Sequence, residues 1–152
     1  MAYRNKTYIA FDGDNDIRYY NLMKTWRDSS NGTFNFYDAH DLNVAYDTSL
    51  EESIKSQLRK RFQESKILIL LIGENTYRLT KFVKWEVETA KKLNIPIILV
   101  ILNENNTIPN WFLNYPAIKV PFNQSSIQFA INNWPVFLEK NKSRQYTGVW
   151  HY

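Results

Sequence analysis

Hydrophobic and polar positions fall into two rhythms along this chain. Residues 67–72 (Ile-Leu-Ile-Leu-Leu-Ile) and 97–102 (Ile-Ile-Leu-Val-Ile-Leu) are unbroken apolar runs. Runs of that length suit central strands of a parallel sheet, buried on both faces. Residues 7–11 read as a first strand, 34–37 as a short second strand and 118–120 as a short fifth one. Between the strands the apolar positions recur at helical spacing. Tyr19, Leu22, Met23 and Trp26 mark one helix; Leu50, Ile54, Leu58 and Phe62 mark a second. A third is expected over 80–93, and a last one places Ile127, Ala130, Ile131, Trp134 and Leu138 inward. Thr48-Ser49-Leu50-Glu51 fits a capping box for the second helix, and Pro135 should kink or interrupt the last.

The order is β-α-β-α-β-α-β-(short helix)-β-α. Such alternation implies a parallel sheet with helices on both faces. Right-handed crossovers make a flavodoxin-like domain with five strands in order 2-1-3-4-5 the expected solution. It should cover residues 1–144, leaving 145–152 as an aromatic tail with Tyr146, Trp150 and Tyr152 that docks or frays. In such sheets ligands bind beyond the carboxyl ends of the strands, at the switch point. The walls there would be residues 11–16, 38–47 and 73–80.

Composition narrows the chemistry. The 152 residues include no cysteine, two histidines (His40 and His151) and four glycines, no two of them at G-x-G spacing. Disulfides, cysteine or His-rich metal sites, a dinucleotide fingerprint and a P-loop are thereby excluded, and no metal is expected. No apolar run approaches a membrane span, and residues 1–6 lack the apolar stretch of a signal peptide. A cytoplasmic protein without a membrane partner is the expectation. The net charge is +4, but its basic residues are spread thinly, so no nucleic-acid partner is expected either.

One residue breaks the pattern. On a wheel of the third helix, Phe82, Val83, Val87, Ala90 and Leu93 share an arc, with Lys81, Lys84, Glu88, Lys91 and Lys92 opposite. Glu86 falls inside the apolar arc. A carboxylate there is costly unless it is paired or lies at a cleft, and desolvation should raise its pKa. Glu88 falls among the lysines, where a solvated ion pair explains it. Trp85, also on the lysine side, marks an interface or covers lysine stems.

With these elements placed, the chain resembles the TIR-like family across nearly its whole length. The branch is the bacterial one that includes the signalling subunit of the Thoeris anti-phage system. The resemblance rests on residues 9–16 (with Phe-Asp-Gly-Asp-Asn-Asp), 36–43, 69–76 and 83–90, four stretches in compatible order. It implies cleavage of NAD, as substrate and not as cofactor, at the nicotinamide–ribose bond. It also implies that one glutamate on the third helix, four residues after an aromatic, is catalytic. Phe82 and Glu86 stand at those positions; many TIR domains carry Trp at the first and a Cys or Ser nearby, where this chain has Phe82 and Val83.

By the same resemblance Phe11 and Asp12 would contact the adjoining ribose or base. Asp14 and Thr76 join them as substrate-binding candidates, although turn formation is an equal role for Asp14. Asp38, His40 and Asp41 belong to the loop that gates the site and makes assembly contacts. The implied product is an ADP-ribose-derived signal, cyclised or linear, that reaches an effector protein. The rival reading is a TIR-type adaptor that signals by self-assembly without turnover. A phosphoacceptor receiver is excluded because the third strand ends Leu71-Ile72-Gly73-Glu74 without an Asp. A calcium loop beginning at Asp12 is excluded by Ile17 and Met23.

Overall fold

The computed structural model describes residues 7–29, 51–79, 82–112, 115–141 and 149–151. The elements are β1 (Thr7–Ala10), α1 (Ile17–Ser29), α2 (Glu51–Glu64), β2 (Ile67–Ile72), a 3-10 turn (Thr76–Arg78) and α3 (Phe82–Lys92). They continue with β3 (Ile97–Ile101), β4 (Ala117–Pro121), α4 (Gln124–Lys140) and β5 (Val149–His151). All five strands pair in parallel, in the order β1-β2-β3-β4-β5.

That order differs from the expected 2-1-3-4-5. β1 to β4 are the expected first, third, fourth and fifth strands, adjacent as anticipated. The expected second strand, 34–37, lies outside the described residues, as do residues 48–50 of the capping box. The additional strand comes from the tail: Val149–His151 pairs with residues 117–119 of β4. Three residues are too few to show a periodicity, so pattern alone does not mark them as a strand.

The period of two along each strand sorts the core into two layers. Tyr8, Ala10, Leu68, Leu70, Ile72, Ile97 and Leu99 face α2 and α3, where Leu58, Phe62, Val83, Val87 and Ala90 meet them. Ile9, Phe11, Ile67, Ile69, Leu71, Ile98 and Val100 face α1 and α4, against Tyr20, Met23, Ile127, Ala130, Ile131 and Trp134. β2 is buried at every residue, so its continuous apolar run is explained by packing on both sides. Truncating one such side chain, Leu70→Ala for example, should cost about 2–5 kcal/mol.

The helix ends follow from local chemistry. α3 closes in a Schellman motif: the Ile95 N–H reaches the Ala90 carbonyl at 2.9 Å and the Asn94 N–H the Lys91 carbonyl at 3.1 Å. Asn94 takes the required left-handed conformation, φ 56°, which Asn tolerates better than most residues. α4 begins at Asn123, whose side chain accepts the Ser126 N–H at 2.8 Å. It runs unbroken through Pro135, where a kink or interruption was expected. Burial of Ile131 and Trp134 on the sheet side holds the helix together across the missing donor.

Candidate active site

α3 carries its apolar stripe toward the sheet, and Glu86 lies within that stripe. Val83, Val87 and Ala90 are buried around it, and Glu86 itself is only 3% exposed. The outer face holds the solvated pair expected there, Lys84 Nζ to Glu88 Oε1 at 3.9 Å. Exposed pairs of this kind stabilise little. Trp85 is half-buried, edge-on to Phe62 of α2 at 6.0 Å, with Lys55 and Arg59 each 5.7 Å over its ring. The charged ends of two α2 side chains, rather than the lysine stems expected, lie over its ring.

Glu86 Oε2 accepts a hydrogen bond from the Tyr8 phenol. Tyr8 sits in β1, paired with Leu68, and its ring stacks on Phe62 at 4.1 Å. No cation pairs with Glu86 among the described residues. Burial therefore dominates and raises its pKa from 4.5 to about 8; the bond from Tyr8 opposes that rise. The same burial pushes the Tyr8 phenol well above its ordinary value, with Glu86 adding to the rise and Arg61 opposing it.

At the carboxyl ends of β1 and β2 a second acidic group forms. Asp12 is buried and occupied with its own turn: Oδ1 accepts the Asp14 N–H at 3.1 Å and Oδ2 the Asn15 side-chain amide at 2.7 Å. Asp16 immediately precedes α1, and its carbonyl accepts the Tyr19 and Tyr20 N–H groups. Its carboxylate, 5% exposed, does not cap the helix; it presses against Gly73, and Oδ2 has no hydrogen-bond partner. A Cβ on Gly73 would stand 2.1 Å from that oxygen, so only glycine fits there. Burial and the neighbouring Asp12 charge raise the Asp16 pKa from 3.8 to about 6, with a smaller push from Glu74 and a pull downward from Arg18.

Polar side chains pin the loops over this end. Asn106 donates to the Ile72 carbonyl at 2.9 Å, and Trp111 Nε1 to the Leu79 carbonyl at 2.9 Å. Thr76 is fully buried: its Oγ1 accepts the Gly73 N–H at 2.8 Å and donates to the Leu71 carbonyl at 3.4 Å.

The residues expected at the substrate are thus divided. Glu86 lies in the α2–α3 layer, whereas Phe11 packs into the opposite layer, stacked on Tyr20 at 4.6 Å. Asp12 and Thr76 spend their polar atoms on local turns. Asp14 is exposed, and its N–H helps hold Asp12. Asp38, His40 and Asp41 lie outside the described residues. Sequence reasoning missed Tyr8 and Asp16. Tyr8 stood only as part of the first strand, and Asp16 only as part of the acidic first loop, in which Asp12 and Asp14 were the candidates. A phenol in an inward register of the strand, facing a helix with one inward carboxylate, was the available signal for the first.

Among the described residues, no group of three or more His, Asp or Glu side chains could hold a metal ion, and no helix is long and apolar enough to cross a membrane. Comparison with protein families gives a match over residues 8–107, to the family described as Thoeris protein ThsB, TIR-like domain. The matched span runs from β1 past the end of β3. It includes Tyr8, the acidic first loop and all of α3.

Proposed function

Since the chain belongs to the TIR-like family of the Thoeris protein ThsB, we propose that it is an NAD-processing enzyme of anti-phage defence with Glu86 as its catalytic carboxylate. The observation that carries this reading is the Glu86 carboxylate itself. It is buried in an apolar stripe with, among the described residues, no cation paired with it and one phenol to hold it. A site of that kind is expensive to keep for structure alone.

The chemistry needs one carboxylate. The bond between the ribose carbon and the pyridinium nitrogen breaks, and its electron pair neutralises the nitrogen. Nicotinamide leaves uncharged, so no general acid is required, unlike the two-carboxyl case of ordinary glycosides. Positive charge develops on the ribose, and the Glu86 carboxylate stabilises it electrostatically. An oxygen nucleophile then bonds to the ribose carbon and releases its proton. Water gives ADP-ribose; a hydroxyl of the same molecule gives a cyclic product, the form suited to a messenger for an effector protein.

Ionisation is coupled to the substrate. With a pKa of about 8, Glu86 is largely protonated in the resting protein at neutral pH. A bound pyridinium cation favours the charged form and draws the proton off. At 3% exposure the carboxylate is closed to a dinucleotide, so turnover requires an opening step, and a trigger for it is part of the proposal.

The same closure favours a second reading, in which the Tyr8–Glu86 pair only satisfies itself and the domain signals by self-assembly. Nicotinamide release from NAD by wild type and Glu86→Gln, each at rest and in the presence of phage-infected lysate, separates the two. Release by wild type and a loss of at least about 100-fold in the variant support the enzyme. Equal silence of both under both conditions supports the adaptor.

A further inference from the structure

Three rings lock the direction of one hydroxyl. Tyr8 cannot shift along β1 without breaking the ladder that pairs it with Leu68. Its ring lies on Phe62, 17° from parallel, and Phe62 meets Trp85 edge-on. Trp85 is the chain neighbour of Glu86, so β1, α2 and α3 all fix the geometry of a single hydrogen bond. We propose that Tyr8 is the positioning residue of the Glu86 carboxylate, holding Oε2 through its phenol so that Oε1 is the oxygen offered to substrate. This inference rests on the reading of Glu86 as the reacting acid.

The physical case has two parts. A carboxylate free to rotate would present either oxygen and lose alignment; a donor on a rigid strand removes that freedom before substrate arrives. The donor also acts on ionisation. A phenol hydrogen bond favours the charged carboxylate, so Tyr8 restrains the rise that burial imposes on Glu86. Arg61 of α2 acts on the Tyr8 phenol, Lys55 and Arg59 of α2 lie over the Trp85 ring, and Lys84 and Glu88 pair on the outer face of α3. Among the described residues Tyr8 is the hydrogen-bond partner of Glu86, and its bond is what opposes the effect of burial there.

The test uses the full chain with Tyr8→Phe, which keeps the stacked ring and removes the hydroxyl. Carbon-13 side-chain NMR follows the Glu86 titration directly, and nicotinamide release from NAD is measured from pH 6 to 9. The Glu86 midpoint is expected to move up by about one to two pH units. At pH 7, kcat should fall about tenfold to a hundredfold with KM nearly unchanged, and part of the loss should return at pH 9. Incorporation of 3-fluorotyrosine at position 8, a stronger donor of the same shape, should keep the midpoint at or below the wild-type value. It keeps the question answerable if Tyr8→Phe does not fold. A folded Tyr8→Phe with an unmoved midpoint and pH profile overturns the proposal, as does a variant that loses stability alone. If Glu86 responds to Tyr8 while wild type never releases nicotinamide, the phenol's effect on the carboxylate is real but the enzymatic reading falls, and the positioning role toward substrate is overturned with it.

Discussion

Glu86 and Asp16 are two carboxylates taken out of water in different ways. Glu86 sits between a helix and the sheet, deep in hydrocarbon, and is given one donor, the Tyr8 phenol. Asp16 sits where strand ends and turns converge, next to Asp12 and Glu74, and its Oδ2 is given none. Yet the partnered acid is the more perturbed: about 8 for Glu86 against about 6 for Asp16. One neutral donor does not offset complete desolvation, whereas Arg18 and the more polar surroundings moderate it at Asp16. The deep acid is thus the one whose charge the proposed pyridinium substrate would switch. The shallow one reads as a packing element whose oxygen fits because position 73 has no side chain.

The sharpest way to break this contrast is Glu86→Gln, which keeps the acceptor for Tyr8 and removes the charge. The folded pKa of about 8 exceeds the ordinary 4.5, so the folded protein keeps a proton that the unfolded chain has lost. Stability from this group therefore falls as pH rises from about 4.5 to about 8, and is flat above. The variant should escape that loss. At pH 8 its Tm should exceed wild type by roughly 5–10 °C, with the difference vanishing toward pH 4. Thermal melts across that range check it; a variant less stable than wild type at pH 8 would show the carboxylate to be a stabilising structural group.

Gly73→Ala probes the shallow acid. The new methyl would collide with the Asp16 carboxylate, and overpacking of this kind should cost about 1–3 kcal/mol. Adding Asp16→Ala should recover most of it, read as a coupling in a double-mutant cycle by denaturant unfolding. Additive losses would show that the contact does not limit the site. The smallest effect is expected from Asp16→Asn. Its folded pKa of about 6 lies above 3.8, so stability from Asp16 falls as pH rises from about 3.8 to about 6. The variant should flatten that slope and gain about 2 °C in Tm at pH 7.

Much of this was legible from local pattern. The runs at 67–72 and 97–102 announced strands covered on both sides, and the wheel isolated Glu86, because burial and periodicity are properties of contiguous residues. What pattern could not give was pairing across the fold. Nothing within residues 12–16 distinguishes Asp16 from Asp14; the distinction comes from Gly73, just past the end of β2. Nothing near Tyr8 names Glu86 as its acceptor. The resemblance implies that Phe11 contacts substrate; the alternation of side chains places it in the α1–α4 layer, the opposite side of the sheet from α3. β5 escaped notice because its pairing with β4, not its own three residues, makes it a strand.

The pH dependence of nicotinamide release tests the central claim most directly. The account predicts activity carried by a single ionisation that must be complete for turnover. The kcat/KM profile, which reports the free enzyme, should rise to a midpoint near 8. The kcat profile should rise at a lower pH, because the bound pyridinium favours the carboxylate. Glu86→Gln should show neither rise. A rate independent of pH from 6 to 9, or one that persists in Glu86→Gln, would contradict the assignment of Glu86 as the reacting acid.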